Sequence, residues 1–164
     1  KNKGFDRIVR IAKKLLDEKF PIHIYILGDG PEKSALQSYI SENKMEKKVT
    51  MLGYQLNPYK YIARCDLFVC ASYAEGFSTA ATEALILGIP VCTVAVSGMR
   101  EMLGDENQYG IIVNNTEQDL YLAIKRIISN KELLSYYKGK AIERGVFFNT
   151  EKTVQAVEKM LLAL

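Results

Sequence analysis

Two glutamates, Glu75 and Glu83, sit eight positions apart in Ala74-Glu75-Gly76-Phe77-Ser78-Thr79-Ala80-Ala81-Thr82-Glu83-Ala84-Leu85. An apolar stretch, Asp66-Leu67-Phe68-Val69-Cys70-Ala71, precedes them, and Gly88-Ile89-Pro90-Val91-Cys92 follows. The order is strand, turn, helix, glycine stop and second strand. It puts Glu75 in the loop at a strand's carboxyl end and Glu83 on the helix that follows. Between them falls a helix N-terminus, whose unpaired N–H groups suit phosphate. A carboxylate on each side of that phosphate can accept hydrogen bonds from sugar hydroxyls. The constellation suits a nucleotide sugar.

The rest of the chain supplies elements that can hold such a turn. Phe5, Ile8, Val9, Ala12, Leu15 and Leu16 recur at helical spacing and predict a helix over 4–19. A strand is expected over 22–27, closed by Gly28-Asp29-Gly30-Pro31, with Pro31 early in a helix that runs to about Asn43. Strands follow at 49–52, 66–71, 91–94 and 109–113, with short helices at 58–64 and 98–103 and a helix from the central turn to Leu87. Helices close the chain at 117–129, 131–144 and 150–163. The strands are continuous apolar runs, as expected where both faces are covered. The pattern predicts one α/β domain, a Rossmann-like doubly wound parallel sheet with helices on both faces. Such a unit opens on a strand, whereas this chain opens on a helix. The expectation is that a leading strand and a partner domain lie ahead of Lys1.

Composition narrows the function classes. The 164 residues fit one domain of ordinary size, and 48% hydrophobic with 25% charged residues is normal for a soluble protein. A net charge of +3 is too small to argue for nucleic acid. Lys1, Lys3, Arg7, Arg10, Lys13 and Lys14 crowd the first helix, as a solvated face or as a peripheral membrane contact. Cys65, Cys70 and Cys92 have neither metal spacing nor even pairing and read as reduced core residues of a cytoplasmic protein. No apolar run approaches the ~20 residues of a membrane span. His23, the single histidine, lies among Ile and Tyr and reads as structural.

Glu75-Gly76-Phe77-Ser78 through Glu83-Ala84, with Gly88-Ile89-Pro90-Val91, resembles the signature of family 4 GT-B glycosyltransferases, the group 1 domain. Lys3-Gly4 resembles that family's Lys-Gly pair, Gly28-Asp29-Gly30-Pro31 its Gly-x-Gly-Pro turn, and Gly53-Tyr54 its Gly-aromatic pair. The resemblance covers nearly the whole chain. It implies the C-terminal, donor-binding half (1–164) of a retaining enzyme that takes sugar from a UDP- or GDP-sugar and passes it to a cell-surface glycan or glycolipid. It also implies an acceptor-binding N-terminal domain and no metal or other cofactor. By the same resemblance Glu83 holds ribose hydroxyls, Glu75 meets the donor sugar near the reacting carbon, and Lys3 neutralises the departing diphosphate. The family's companion arginine would fall ahead of Lys1, so this domain alone should bind donor weakly and not turn over.

The residues themselves leave plainer alternatives beside these roles. Glu83 can be a dipole-stabilising charge, although position 80 is Ala and offers no capping box. Glu75 can be a solvated loop carboxylate and Lys3 an exposed cation. Gly76 offers close approach or positive φ, and the N–H groups of Phe77, Ser78 and Thr79 can bind diphosphate with help from the Ser78 or Thr79 hydroxyl, or those hydroxyls can cap the helix. Gly28 and Gly53 serve turns beside the nucleotide, Tyr54 is placed to stack on the base, and Gln55 helps frame it. Glu101 reads as a helix-start charge. Two rivals stand: a non-hydrolysing nucleotide-sugar epimerase, for which the donor loops lack a histidine, and a flavodoxin- or receiver-like binding module, for which the acidic pair and phosphorylatable Asp are missing.

Overall fold

The computed structural model describes residues 3–148; the helix expected over 150–163 lies outside the described residues. Helix and strand alternate as α1 (Phe5–Asp17), β1 (Ile24–Leu27), α2 (Lys33–Glu42), β2 (Val49–Gly53), α3 (Tyr59–Ile62), β3 (Phe68–Cys70), α4 (Thr79–Ile86), β4 (Val91–Val94), α5 (Met99–Leu103), β5 (Ile111–Val113), α6 (Glu117–Ile128) and α7 (Lys131–Gly145). Every strand pairing is parallel, so the α/β class and the parallel winding stand.

Among the described residues the strands do not all join in one ladder. The described strands form two pieces, β1-β2 and β3-β4-β5, with no ladder between β1 and β3. The expected strands also run too long at their amino ends. Ile22 and Leu67 pack against the core but lie outside the ladders, because an apolar run marks burial and not pairing. Pro31 sits in a turn, and α2 begins only at Lys33 after Glu32.

Helices cover both faces of the larger piece. On one face Cys92 and Val94 of β4 pack with Ile11 of α1 and with Leu120 and Ile127 of α6. On the other, Val91 packs with Ala84 and Leu85 of α4 and Met99 of α5. All four residues of β4 are buried. Each fully buried Val or Leu side chain contributes about 1.5–3 kcal/mol relative to exposure. The smaller piece is covered differently. Val9 and Ala12 of α1 and Leu36 and Ile40 of α2 cover Ile26 and Val49. Tyr25, one residue before Ile26 and so on the opposite face, is 46% exposed. His23 is exposed too; it stacks on Tyr25 and meets the Thr50 hydroxyl at 2.9 Å. Its place ahead of β1 puts it at the amino edge of the sheet.

No helix among the described residues is long and apolar enough to cross a membrane. The basic run on α1 is charge-balanced: Arg10 pairs with Asp6 and Glu117, Lys13 with Asp17, and Lys14 with Glu117.

Candidate functional site

The site is organised by the first turn of α1, which touches the carboxyl ends of both sheet pieces. The Phe5 ring lies 3.9 Å from where a Cβ on Gly28, just past β1, would stand. Gly4 lies on the backbone just past β3, where its own Cβ would stand 1.9 Å from the Ala71 carbonyl oxygen. Gly4 takes φ 69°, in the left-handed region that glycine tolerates and other residues do not. A glycine is needed there twice over. The loops after the strands therefore gather on one side, the crevice where open α/β sheets bind ligands.

Seating α1 this way delivers Lys3 to Glu75. The Lys3 ammonium donates to both carboxylate oxygens at 2.9 Å, and the Ser72 hydroxyl donates to Oε2 at 2.9 Å. The Lys3 side chain is 61% exposed and that of Glu75 12% exposed. Glu75 is thus a held carboxylate, not a solvated loop charge. The loop carrying it is clamped at Tyr73. The Arg7 guanidinium lies 3.6 Å from the Tyr73 ring centroid and donates to Asn115 Oδ1 at 2.6 Å. Asn115 donates to the Tyr73 carbonyl at 3.1 Å, and the Tyr73 hydroxyl donates to Asp6 Oδ2 at 2.7 Å. None of Arg7, Ser72, Tyr73 and Asn115 stands out in the sequence as a site residue. The available signal was that residues 71–78 and 114–116 follow strands of one parallel sheet, and so share an edge.

Burial pushes the Asp6 carboxyl up, but the Tyr73 hydroxyl and the Arg10 guanidinium outweigh it and leave it below the usual carboxylate range. A folded value below the unfolded one makes Asp6 stabilising above about pH 4, and that stabilisation fades as pH falls through the lowered value. Asp6→Asn should therefore flatten the loss of stability between pH 5 and pH 3. Urea midpoints across that range check this; identical slopes in both proteins would rule out the Asp6 contribution.

The turn itself is built from neighbours. Ser78 is buried, and its hydroxyl accepts from Ala81 N–H at 3.3 Å as the α4 N-cap. Of the two hydroxyls considered for phosphate, Ser78 is turned inward and Thr79 is exposed. Gly76 does not use a positive φ, and a Cβ there would meet nothing within 4 Å, so its lack of a side chain leaves open space. The positive φ belongs to Gly98, at 76°, after β4. A Cβ on Gly98 would stand 2.8 Å from the Gly76 carbonyl and 3.1 Å from the Phe77 ring. The 95–98 loop thus packs closely against the turn. Phe77 is 49% exposed.

On the far flank, α4 ends in a hydrogen-bonded cap in which Gly88 N–H reaches Leu85 O and Ile89 N–H reaches Ala84 O, both at 2.9 Å. Glu83 stands within this helix, half-buried, and accepts from the Tyr59 hydroxyl at 3.3 Å. The loops after β1 and β2 are tied together by Gly28 N–H donating to Gly53 O at 2.8 Å. Gln55 donates to Leu52 O at 2.7 Å, and Tyr54 beside it is 74% exposed. Glu101 is exposed in the first turn of α5.

Residues 1–144 match the family model described as Glycosyl transferases group 1. The chain is 35% identical over 164 residues to the N-acetylgalactosamine-N,N'-diacetylbacillosaminyl-diphospho-undecaprenol 4-alpha-N-acetylgalactosaminyltransferase of Campylobacter jejuni, covering 99% of this chain and 44% of that protein. It is 25% identical over 155 residues to the poly(ribitol-phosphate) alpha-N-acetylglucosaminyltransferase of Staphylococcus aureus, covering 93% of this chain and 31% of that protein. Among solved structures, a TarM variant of S. aureus in complex with Fondaparinux, alpha-GlcNAc-glycerol and UDP superposes with a TM-score of 0.84 at 25% identity, over 98% of this chain and 32% of that one. Anabaena HepE in complex with UDP shares the fold at a TM-score of 0.85 and 22% identity, over 99% of this chain and 46% of that one. The chain spans less than half the length of each of these proteins. Nothing among them favours an epimerase or a receiver-like module. The matched region takes in the Lys3-Gly4 pair, the Glu75 turn and Glu83, and the chain belongs to the glycosyl transferases group 1 family.

Proposed function

We propose that this chain is the donor-binding half of a retaining glycosyltransferase that takes a sugar from a nucleoside diphosphate, UDP before GDP. The observation that carries the reading is the Lys3–Glu75 pair at the amino end of α4. It puts a cation, a carboxylate and free helix N–H groups where a sugar diphosphate would bridge them. The UDP bound to the TarM variant supports UDP as the first nucleotide to test.

On this reading the diphosphate rests on the N–H groups of Phe77, Ser78 and Thr79. Lys3 takes up the charge that builds on the diphosphate as the bond to the sugar breaks. Glu75 fixes sugar hydroxyls and steadies positive charge at the reacting carbon, and the acceptor attacks from the face the diphosphate leaves. Glu83 accepts from the ribose diol. Gly28, Gly53 and Tyr54 frame the base. Lysine and helix N–H groups supply the positive charge, so the scheme needs no metal. The acceptor is bound by a further domain of the same enzyme, since this chain spans only 44% of the C. jejuni relative. The acceptor is a lipid-linked or cell-surface glycan, met by a cytoplasmic enzyme at the membrane periphery. The name of the C. jejuni relative supports a lipid diphosphate acceptor.

Glu83→Ala tests the nucleotide side of this reading. A carboxylate that accepts two ribose hydroxyls contributes about 1.5–3 kcal/mol per bond. Its loss should weaken UDP at least 100-fold, or about 3 kcal/mol. Titration calorimetry of the full-length protein reads this directly. Unchanged UDP affinity would refute the assignment of Glu83.

A further inference from the structure

We infer that Tyr59 is a positioning residue that holds Glu83 for the ribose of the donor. The inference rests on the reading of Glu83 given above. The hydroxyl of Tyr59 donates to Glu83 Oε1 at 3.3 Å, across 24 positions of sequence. Among the described residues no partner is recorded for Oε2, so one oxygen is tethered and the other faces an incoming diol.

The tether is built into the packing. Tyr59 opens α3 and Ile62 closes it, three residues later and on the same face of the turn. Ile62 is buried in the same apolar cluster as Ala81, Ala84 and Leu85 of α4, the helix that carries Glu83. That shared cluster seats α3 and α4 in one layer, from which the Tyr59 hydroxyl reaches the carboxylate. Pro58 sets the start of the turn, and its carbonyl accepts from Tyr61 and Ile62 N–H at 3.0 and 3.1 Å. The loop just ahead carries Tyr54 and Leu56, which are 74% and 91% exposed. Tyr59 thus links the loop that borders the base to the carboxylate that meets the ribose. At 3.3 Å the bond is long for a hydroxyl on a carboxylate.

The test compares UDP with 2′,3′-dideoxyuridine diphosphate on the full-length protein, by calorimetry, for the wild type, Tyr59→Phe and Glu83→Gln. Tyr59→Phe keeps the ring and its packing and removes only the hydroxyl. It should weaken UDP about three- to tenfold and leave the dideoxy nucleotide unchanged. A purely structural tyrosine would weaken both nucleotides by one factor. Equal weakening of both, or no weakening of either, overturns the inference. Glu83→Gln separates the two levels. If that variant treats the two nucleotides as the wild type does, the ribose role of Glu83 fails, and the Tyr59 inference with it. If only Glu83→Gln loses the preference for the diol, Glu83 stands and Tyr59 falls.

Discussion

If the proposed function holds, replacing Glu75 by Gln in the full-length protein should lower kcat by about 100- to 1,000-fold while UDP affinity stays within about threefold. The amide keeps the size of the side chain and removes the negative charge. On the proposed reading that charge acts where positive charge develops on the sugar, so the loss should fall on the chemical step and not on nucleotide binding. The Lys3 partner does not mask the effect. Lys3 is 61% exposed on its side of the pair, and ion pairs of that kind contribute about 0–1 kcal/mol. A diphosphate carries more charge than one carboxylate, so on the proposed reading Lys3 would turn to it at little cost. Single-turnover measurements at saturating donor separate chemistry from binding. An unchanged rate would remove Glu75 from the reaction.

Gly4→Ala should lower stability by about 3 kcal/mol, with activity falling alongside. Two costs add. A left-handed backbone costs an alanine about 1–2 kcal/mol, and forcing a methyl into packed backbone costs about 1–3 kcal/mol. The methyl would stand 1.9 Å from the Ala71 carbonyl oxygen, which belongs to the main chain just past β3. Either α1 lifts from β3 or the 71–73 backbone moves, and both displace Lys3 from Glu75. For a domain of this size about 3 kcal/mol corresponds to a fall in Tm of about 10 °C. A melt within about 2 °C of the wild type would show that α1 is not seated on β3 as described.

Much of the fold was readable because hydrophobic runs report burial. Strand β4, buried at all four positions, has the same ends in the sequence reading as in the structure. The runs beginning at Ile22 and Asp66 were read too long for the same reason: Ile22 and Leu67 pack against the core and join no ladder. Pairing partners leave no such trace, so the division of the sheet between β1 and β3 could not be read. The exposure of Tyr25 was hidden too, since its neighbours Ile24 and Ile26 give the run an apolar look. In the site, the local turn was legible: Glu75, Gly76, Phe77, Ser78 and Glu83 are close in sequence, and a resemblance marked them. Their supports were not. Arg7 reaches Asn115 across 108 positions, and Tyr59 reaches Glu83 across 24. Tyr, Arg and Asn at those places look like ordinary surface residues until the fold brings them together.

Cys92 lies at the centre of β4 with no exposed surface, and burial pushes its thiol up to about 12. Thiol reagents attack the thiolate, so at neutral pH this sulfur is shielded twice, by access and by protonation. Modification must wait until the strand itself is uncovered, which happens only when the centre of the domain comes apart. The native sequence therefore carries a chemical timer in its deepest layer, one that records how often the molecule opens without any label having to be added.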